Sequence, residues 1–145
     1  MTKVDVAREI AAPPQTVYDY FDDHKNSAEI FPQFSGLEWD TPLHEVGTRL
    51  KVVAKSAGIS LPMVLTTTEV ERGRRLAGTI SEGMEGRWEW RFVPTQTGTR
   101  VEGTTEYELP LGILGQIADR LLVERETQAD LARTLAILKE KTEAR

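Results

Sequence analysis

Two histidines, no cysteine and a scatter of lysines are the raw material for any chemistry by this 145-residue chain. His24 and His44 fall in polar, loop-like stretches. They form no i, i+4 pair, no carboxylate spacing completes a metal site with them, and neither has a serine partner in a nucleophile motif. The lack of cysteine removes disulfides, thiolate catalysis and cysteine-bound zinc together. Lys51 and Lys55 lie in the outward phase of a predicted strand. Lys139 and Lys141 end a predicted helix, where their charge suits the dipole. A different group has the right types in the right phase: Trp88, Trp90, Thr105 and Tyr107 share the inward face of neighbouring predicted strands. Their chemistry is recognition, an aromatic wall with a few polar handles for a small molecule. No catalytic set, metal or cofactor is expected.

The strands that must hold this wall are legible from their alternation. In Gly86–Val93, Trp88, Trp90 and Phe92 alternate with Arg87, Glu89 and Arg91. After a turn at Gln96–Gly98, Val101, Gly103, Thr105, Tyr107 and Leu109 alternate with charged or hydroxylic residues. Earlier strands are predicted at Lys3–Ala11, Phe34–Trp39, Arg49–Ser56, Met63–Glu71 and Arg75–Ser81. Leu50, Val52 and Ala54 share the inward phase of the third. Arg8 shares phase with Val4, Val6 and Ile10, but sits where its head reaches water. Prolines 13 and 14 open a short helix carrying Val17, Tyr18 and Phe21. A second short helix is read over Asp22–Phe31, stopped by Pro32.

From Leu111 to Arg145 one long helix is predicted, with a stripe that lapses midway. Leu114, Ile117, Ala118, Leu121 and Leu122 recur at helical spacing, as do Leu131, Ala132, Leu135 and Leu138. Between them Glu124–Asp130 offers almost nothing apolar to bury. A helix over a cavity can carry polar groups there, with Arg125 and Gln128 facing a ligand; an inward Arg125 would seek a carboxylate. The alternative is a slight rotation that leaves Glu124–Asp130 as a solvated surface run, the commoner fate of such runs.

The order is therefore strand, two short helices, about six strands and one long helix. This is an α+β class in which helices cover one face of an antiparallel sheet. One domain over residues 1–145 is expected. The net charge of -5 and pI near 5.1 argue against binding nucleic acid or an anionic membrane surface. Neither a secretory signal nor a spanning helix is read, so a cytoplasmic protein is expected.

Several segments carry a family resemblance over the whole length. They are Ile10-Ala-Ala-Pro-Pro-x-x-Val17, Phe31-Pro32, Val46-Gly-Thr48, Trp88-x-Trp90-x-Phe92 with Gly98-Thr-Arg-Val101, and Leu135-x-x-Leu138-Lys139. In order and spacing the chain resembles the START/Bet v 1-like (SRPBCC) superfamily, in its bacterial polyketide cyclase/dehydrase and lipid-transport branch. The resemblance implies a helix-grip fold, an incurved antiparallel sheet wrapped around the long C-terminal helix with an apolar cavity between. It does not imply a reaction, because the superfamily contains carriers, cyclases, receptors and co-chaperones. Lysine-dependent condensation, found in some plant members, is not supported by the lysine positions. A 2-His-1-carboxylate iron centre, carried by some oxygenase subunits, would require the two histidine loops to converge, and nothing in the sequence brings them together.

The expected function is non-catalytic binding or carriage of a small, largely apolar ligand: a lipid, isoprenoid or aromatic polyketide. The cavity-facing set is Trp88, Trp90, Thr105, Tyr107, Leu50 and Val52 from the sheet, with Leu121, Arg125 and Gln128 from the helix. Leu61, Met63 and Ile113 flank Pro62 and Gly112 at strand and helix ends and are read as a gate. The alternative is a cyclase or aromatase acting in the same cavity, with Tyr107 and Arg125 as acid–base groups. A protein-interaction module is a third reading, without a distinctive feature to carry it.

Overall fold

The computed structural model describes residues 1–116 and 120–145. Seven strands form a single antiparallel sheet: β1 (Thr2–Ile10), β2 (Phe34–Trp39), β3 (Arg49–Ser56), β4 (Ile59–Glu71), β5 (Arg75–Ser81), β6 (Glu85–Pro94) and β7 (Thr99–Glu108). The spatial order is β1-β7-β6-β5-β4-β3-β2, so every consecutive pair from β2 to β7 is a meander and β1 closes onto β7. Helix α1 (Pro14–Asp22) follows β1, then a 3-10 turn at His24–Asn26 and α2 (Ser27–Ile30). The segment read as one second helix is thus divided, because the Asp23 side chain accepts from the Lys25 amide and starts a tighter turn.

At the C-terminus α3 (Leu111–Leu114) is separate from α4 (Arg120–Glu143), so the single helix expected there is two. Ile117 and Ala118, part of the expected stripe, lie outside the described residues. Helix α4 packs on β1 near one sheet edge, on β3 near the other, and on α1 and α2. An element touching both ends of a sheet requires the sheet to curl around it.

The inward alternation holds along β6, with Trp88, Trp90 and Phe92 all buried. Both indoles depend on a glycine across the ladder. Trp88 pairs with Gly78 on β5, and Trp90 with Gly103 on β7. A Cβ on Gly78 would stand 2.6 Å from the Trp88 ring, and one on Gly103 2.5 Å from Trp90. Each ring therefore lies over a neighbouring strand's backbone where any larger residue would collide.

The C-terminal half of α4 is fixed by specific bonds as well as by Leu135 and Leu138, each at most 1% exposed. The fully buried Thr134 hydroxyl donates to the Ile30 carbonyl at 2.6 Å. The Ala11 amide donates to Glu143 at 2.8 Å, and Thr99 on β7 donates to the Ala12 carbonyl at 2.7 Å. These bonds tie α4 and β7 to the junction of β1 and α1. The other half of the helix borders empty space.

Candidate ligand-binding site

Two adjoining cavities lie between the sheet and α4. The outer one, about 120 Å³, is bordered by Ala54, Leu61, Met63, Met84, Tyr107 and Ile113, with Val123, Thr127, Asp130 and Leu131 from α4. The inner one, about 60 Å³, is bordered by Phe21, Phe31, His44, Leu50, Trp88 and Trp90, among others. Gln33, Phe34, Thr105 and Leu131 border both.

The expected wall is thereby divided. Thr105 and Tyr107 face the outer cavity, together with the gate residues Leu61, Met63 and Ile113. Trp88, Trp90 and Leu50 face the inner one. Val52 is 3% exposed and borders neither cavity, so it belongs to the packed core.

The helix residues need correction. Arg125 and Gln128 are exposed, and Leu121 is 55% exposed. The phase facing inward is Val123, Thr127, Asp130, Leu131 and Thr134, which the 3.6-residue period places on the opposite side from 121, 125 and 128. The stripe does not lapse; polar side chains with partners carry it through. Counting apolar residues alone picked Leu121 and Leu122 and shifted the phase. Spacing held the correcting signal, since Val123, Thr127, Asp130 and Thr134 recur at three and four residues.

Glu126 serves a different purpose. Its carboxylate accepts from the Ser56 hydroxyl at 2.8 Å and from the Ala57 amide at 2.7 Å. Those two bonds hold its pKa below the usual range and fasten the β3–β4 turn, which borders the outer cavity, to the helix.

Tyr107 is 3% exposed, and burial raises its phenol, partly offset by hydrogen bonding to Thr127 and Thr2. It stays protonated and able to donate at any ordinary pH. Asp130 is also raised, chiefly by burial; its pair with Arg133 at 3.0 Å opposes the shift and Glu126 adds to it. A carboxyl raised on folding favours the folded state most when protonated. That stability is full below the unfolded pKa and is lost as pH rises through the folded one. Asp130→Asn, neutral throughout, should therefore melt roughly 1–4 °C above the parent at pH 7, with the gap closing towards pH 4. Thermal melts across that range check it; an Asn variant less stable at pH 7 would mean the carboxylate is well solvated.

The histidines were expected to stay apart, and here the fold overturns the reading. Asp22 ends α1, His24 opens the 3-10 turn, His44 sits between β2 and β3, and their ligand-type atoms lie within 4.8 Å of one another. The Thr41 carbonyl can only accept, so His24 Nδ1–H donates to it at 2.7 Å and Nε2 keeps its lone pair. His44 Nδ1–H then donates to Asp22 Oδ1 at 2.8 Å, with His24 Nε2 at 3.2 Å. The His44 backbone amide also bonds Asp22 at 2.8 Å. Burial would raise Asp22, but these His44 bonds more than offset it and hold the carboxyl low. Burial lowers His24 to about 4, so it is neutral, stacked on Trp39 with ring centres 3.3 Å apart. With Nδ1 committed to Asp22, the free nitrogen of His44 is Nε2, on a ring that borders the inner cavity. Periodicity carries no trace of this cluster, because loops bring its members together.

A wider groove of about 740 Å³ crosses the outer face of the sheet. Its arginines are already paired: Arg75 with Glu69 and Glu89, Arg87 with Glu106, Arg91 with Glu89 and Arg100 with Glu102. It is a solvated ionic face with little apolar surface to recruit a ligand.

A curled sheet gripping a C-terminal helix, with cavities between them, defines a START/Bet v 1-like helix-grip domain. Within that class the chain belongs to the polyketide cyclase/dehydrase and lipid transport family, whose profile it matches over residues 1–143. It is similar to a crystal structure from Thermus thermophilus at 28% identity and TM-score 0.82, covering 99% of this chain and 98% of that one. A START superfamily protein from Mycobacterium smegmatis matches at 14% identity and TM-score 0.75, covering 98% and 97%. The Zhui aromatase/cyclase from Streptomyces sp. R1128 matches at 19% identity and TM-score 0.73, covering 97% and 94%. The last two likenesses concern the fold. No match is found among curated protein sequences. Among the described residues no helix is long and apolar enough to cross a membrane.

Proposed function

We propose that this protein binds a small, largely apolar ligand between its sheet and α4, as a carrier or receptor. The observation that carries the reading is the outer cavity of about 120 Å³, with a largely apolar lining that also includes Gln33, Lys55, Ser56, Thr105, Tyr107, Thr127 and Asp130. Its size narrows the ligand. Sites for drug-sized molecules run to roughly 300–1,000 Å³, whereas an apolar cavity of about 150 Å³ holds benzene. A single ring or a short isoprenoid fits; a long lipid or polycyclic polyketide requires Leu61, Met63 and Ile113 to part. Titration with toluene, followed by Trp88 and Trp90 emission and by native mass spectrometry, tests this. Saturable one-to-one binding is expected. A linear, unsaturable response with no adduct would sink the proposal.

One observation favours a second reading, a cyclase in the same cavity: Tyr107 and Asp130 face it together, the first a retained donor and the second a carboxyl that burial helps to keep its proton. Arg125, exposed, takes no part in it. Product formation that disappears in Tyr107→Phe while toluene affinity is kept would decide for turnover.

A further inference from the structure

Among the described residues three buried side-chain polar atoms have no hydrogen-bond partner: Tyr18 Oη, Gln33 Oε1 and Trp88 Nε1. Two of the three belong to residues bordering the inner cavity, and His44, whose Nδ1 is committed to Asp22, borders it too. Buried polar groups are almost always paired, so two lapses among the residues that line one small void point to a polar occupant. At about 60 Å³ the void has room for a polar group, since one water needs roughly 10–15 Å³ by a comparable measure.

Resting on the cavity reading above, we propose that the inner cavity is a subsite for one hydroxyl group, and that the ligand is a ring-sized apolar alcohol or phenol. The chemistry of the two orphans makes the choice. Trp88 Nε1–H can only donate, while Gln33 Oε1 can only accept. A hydroxyl serves both; an ether or ketone serves the first alone. A carboxylate is excluded by the lining, which contains no lysine or arginine, and the His44 Nδ1–H already donates to Asp22. Gln33, Phe34, Thr105 and Leu131 border both spaces, so a ring in the outer cavity can direct its oxygen into the inner one.

Toluene and phenol separate the terms, because a methyl replaces the hydroxyl at nearly constant shape. Phenol is the better hydrated of the two, so a preference for it must come from hydrogen bonds in the site. Calorimetric titration of the wild-type chain should show phenol binding at least about tenfold more tightly than toluene. Trp88→Phe and Gln33→Leu should each cut the preference for phenol over toluene by roughly tenfold. Gln33 is only half-buried, so the second variant stands if the first folds poorly. Toluene binding as tightly as phenol overturns the subsite while leaving the cavity reading intact. So do variants that keep the phenol preference or weaken both ligands alike. Binding of neither ligand overturns both inferences.

Discussion

Thr105→Phe should fold normally and lose toluene affinity by at least about tenfold. Thr105 stands on β7, opposite Trp88 on β6, and borders both cavities. A phenyl ring there occupies the space through which the two adjoin, so the loss is steric and does not depend on removing a contact. Stability should hold or rise slightly, because filling an existing void restores dispersion contacts that its lining lacks. The two responses must move apart: ligand affinity falls while the urea midpoint stays. Isothermal titration and urea unfolding on the same preparation measure both. If affinity is unchanged, ligand does not reside between β7 and α4, and the gate region around Leu61 and Ile113 would become the place to search. If affinity and stability fall together, the void is already closed in solution.

The sheet was readable from sequence because its physics is local. Alternation between Trp88, Trp90, Phe92 and their charged neighbours needs only the two-residue period, and the observed burial follows it. The helix defeated the same approach for an equally physical reason. Thr134 is as buried as Leu138, because it donates to the Ile30 carbonyl, an acceptor 104 residues away in the chain. A polarity scale scores that threonine as surface. The same blindness placed Arg125 and Gln128 at the cavity in place of Thr127 and Asp130, one residue class and half a helical turn away.

The histidine cluster shows a second limit. His24 and His44 are twenty positions apart, and a proline-bearing loop and an edge strand separate them. They meet directly, at 3.2 Å between His24 Nε2 and His44 Nδ1, and the Asp22 carboxylate at the end of α1 holds His44 there by accepting both a backbone and a ring N–H from it. Such a contact is a product of assembly, so its consequence for the site, a His44 ring fixed at the inner cavity, could be read only from coordinates. Gln33 was missed likewise: one polar residue after a proline carries no pattern, and its significance lies in the partner it lacks.

Gly78→Ala should be among the most damaging single-methyl changes in the molecule, at about 3 kcal/mol or more. The added Cβ would stand 1.9 Å from the Thr66 carbonyl oxygen on β4 and 2.6 to 2.7 Å from two carbons of the Trp88 ring. A flexible side chain could swing aside; a backbone carbonyl in a central ladder cannot do so without breaking pairing. The urea midpoint should fall with the slope nearly unchanged, and melting should drop by roughly 6–12 °C. Gly112→Ala is the matched control, since nothing lies within 4 Å of a Cβ there and alanine favours its helix. The two changes add the same atom, so their difference isolates the collision. Displacing the indole also moves Nε1, so the surviving folded fraction of Gly78→Ala should lose its preference for phenol over toluene. Were Gly78→Ala as stable as the control, the Trp88 ring could not lie over β5, and the inner cavity would have a different wall.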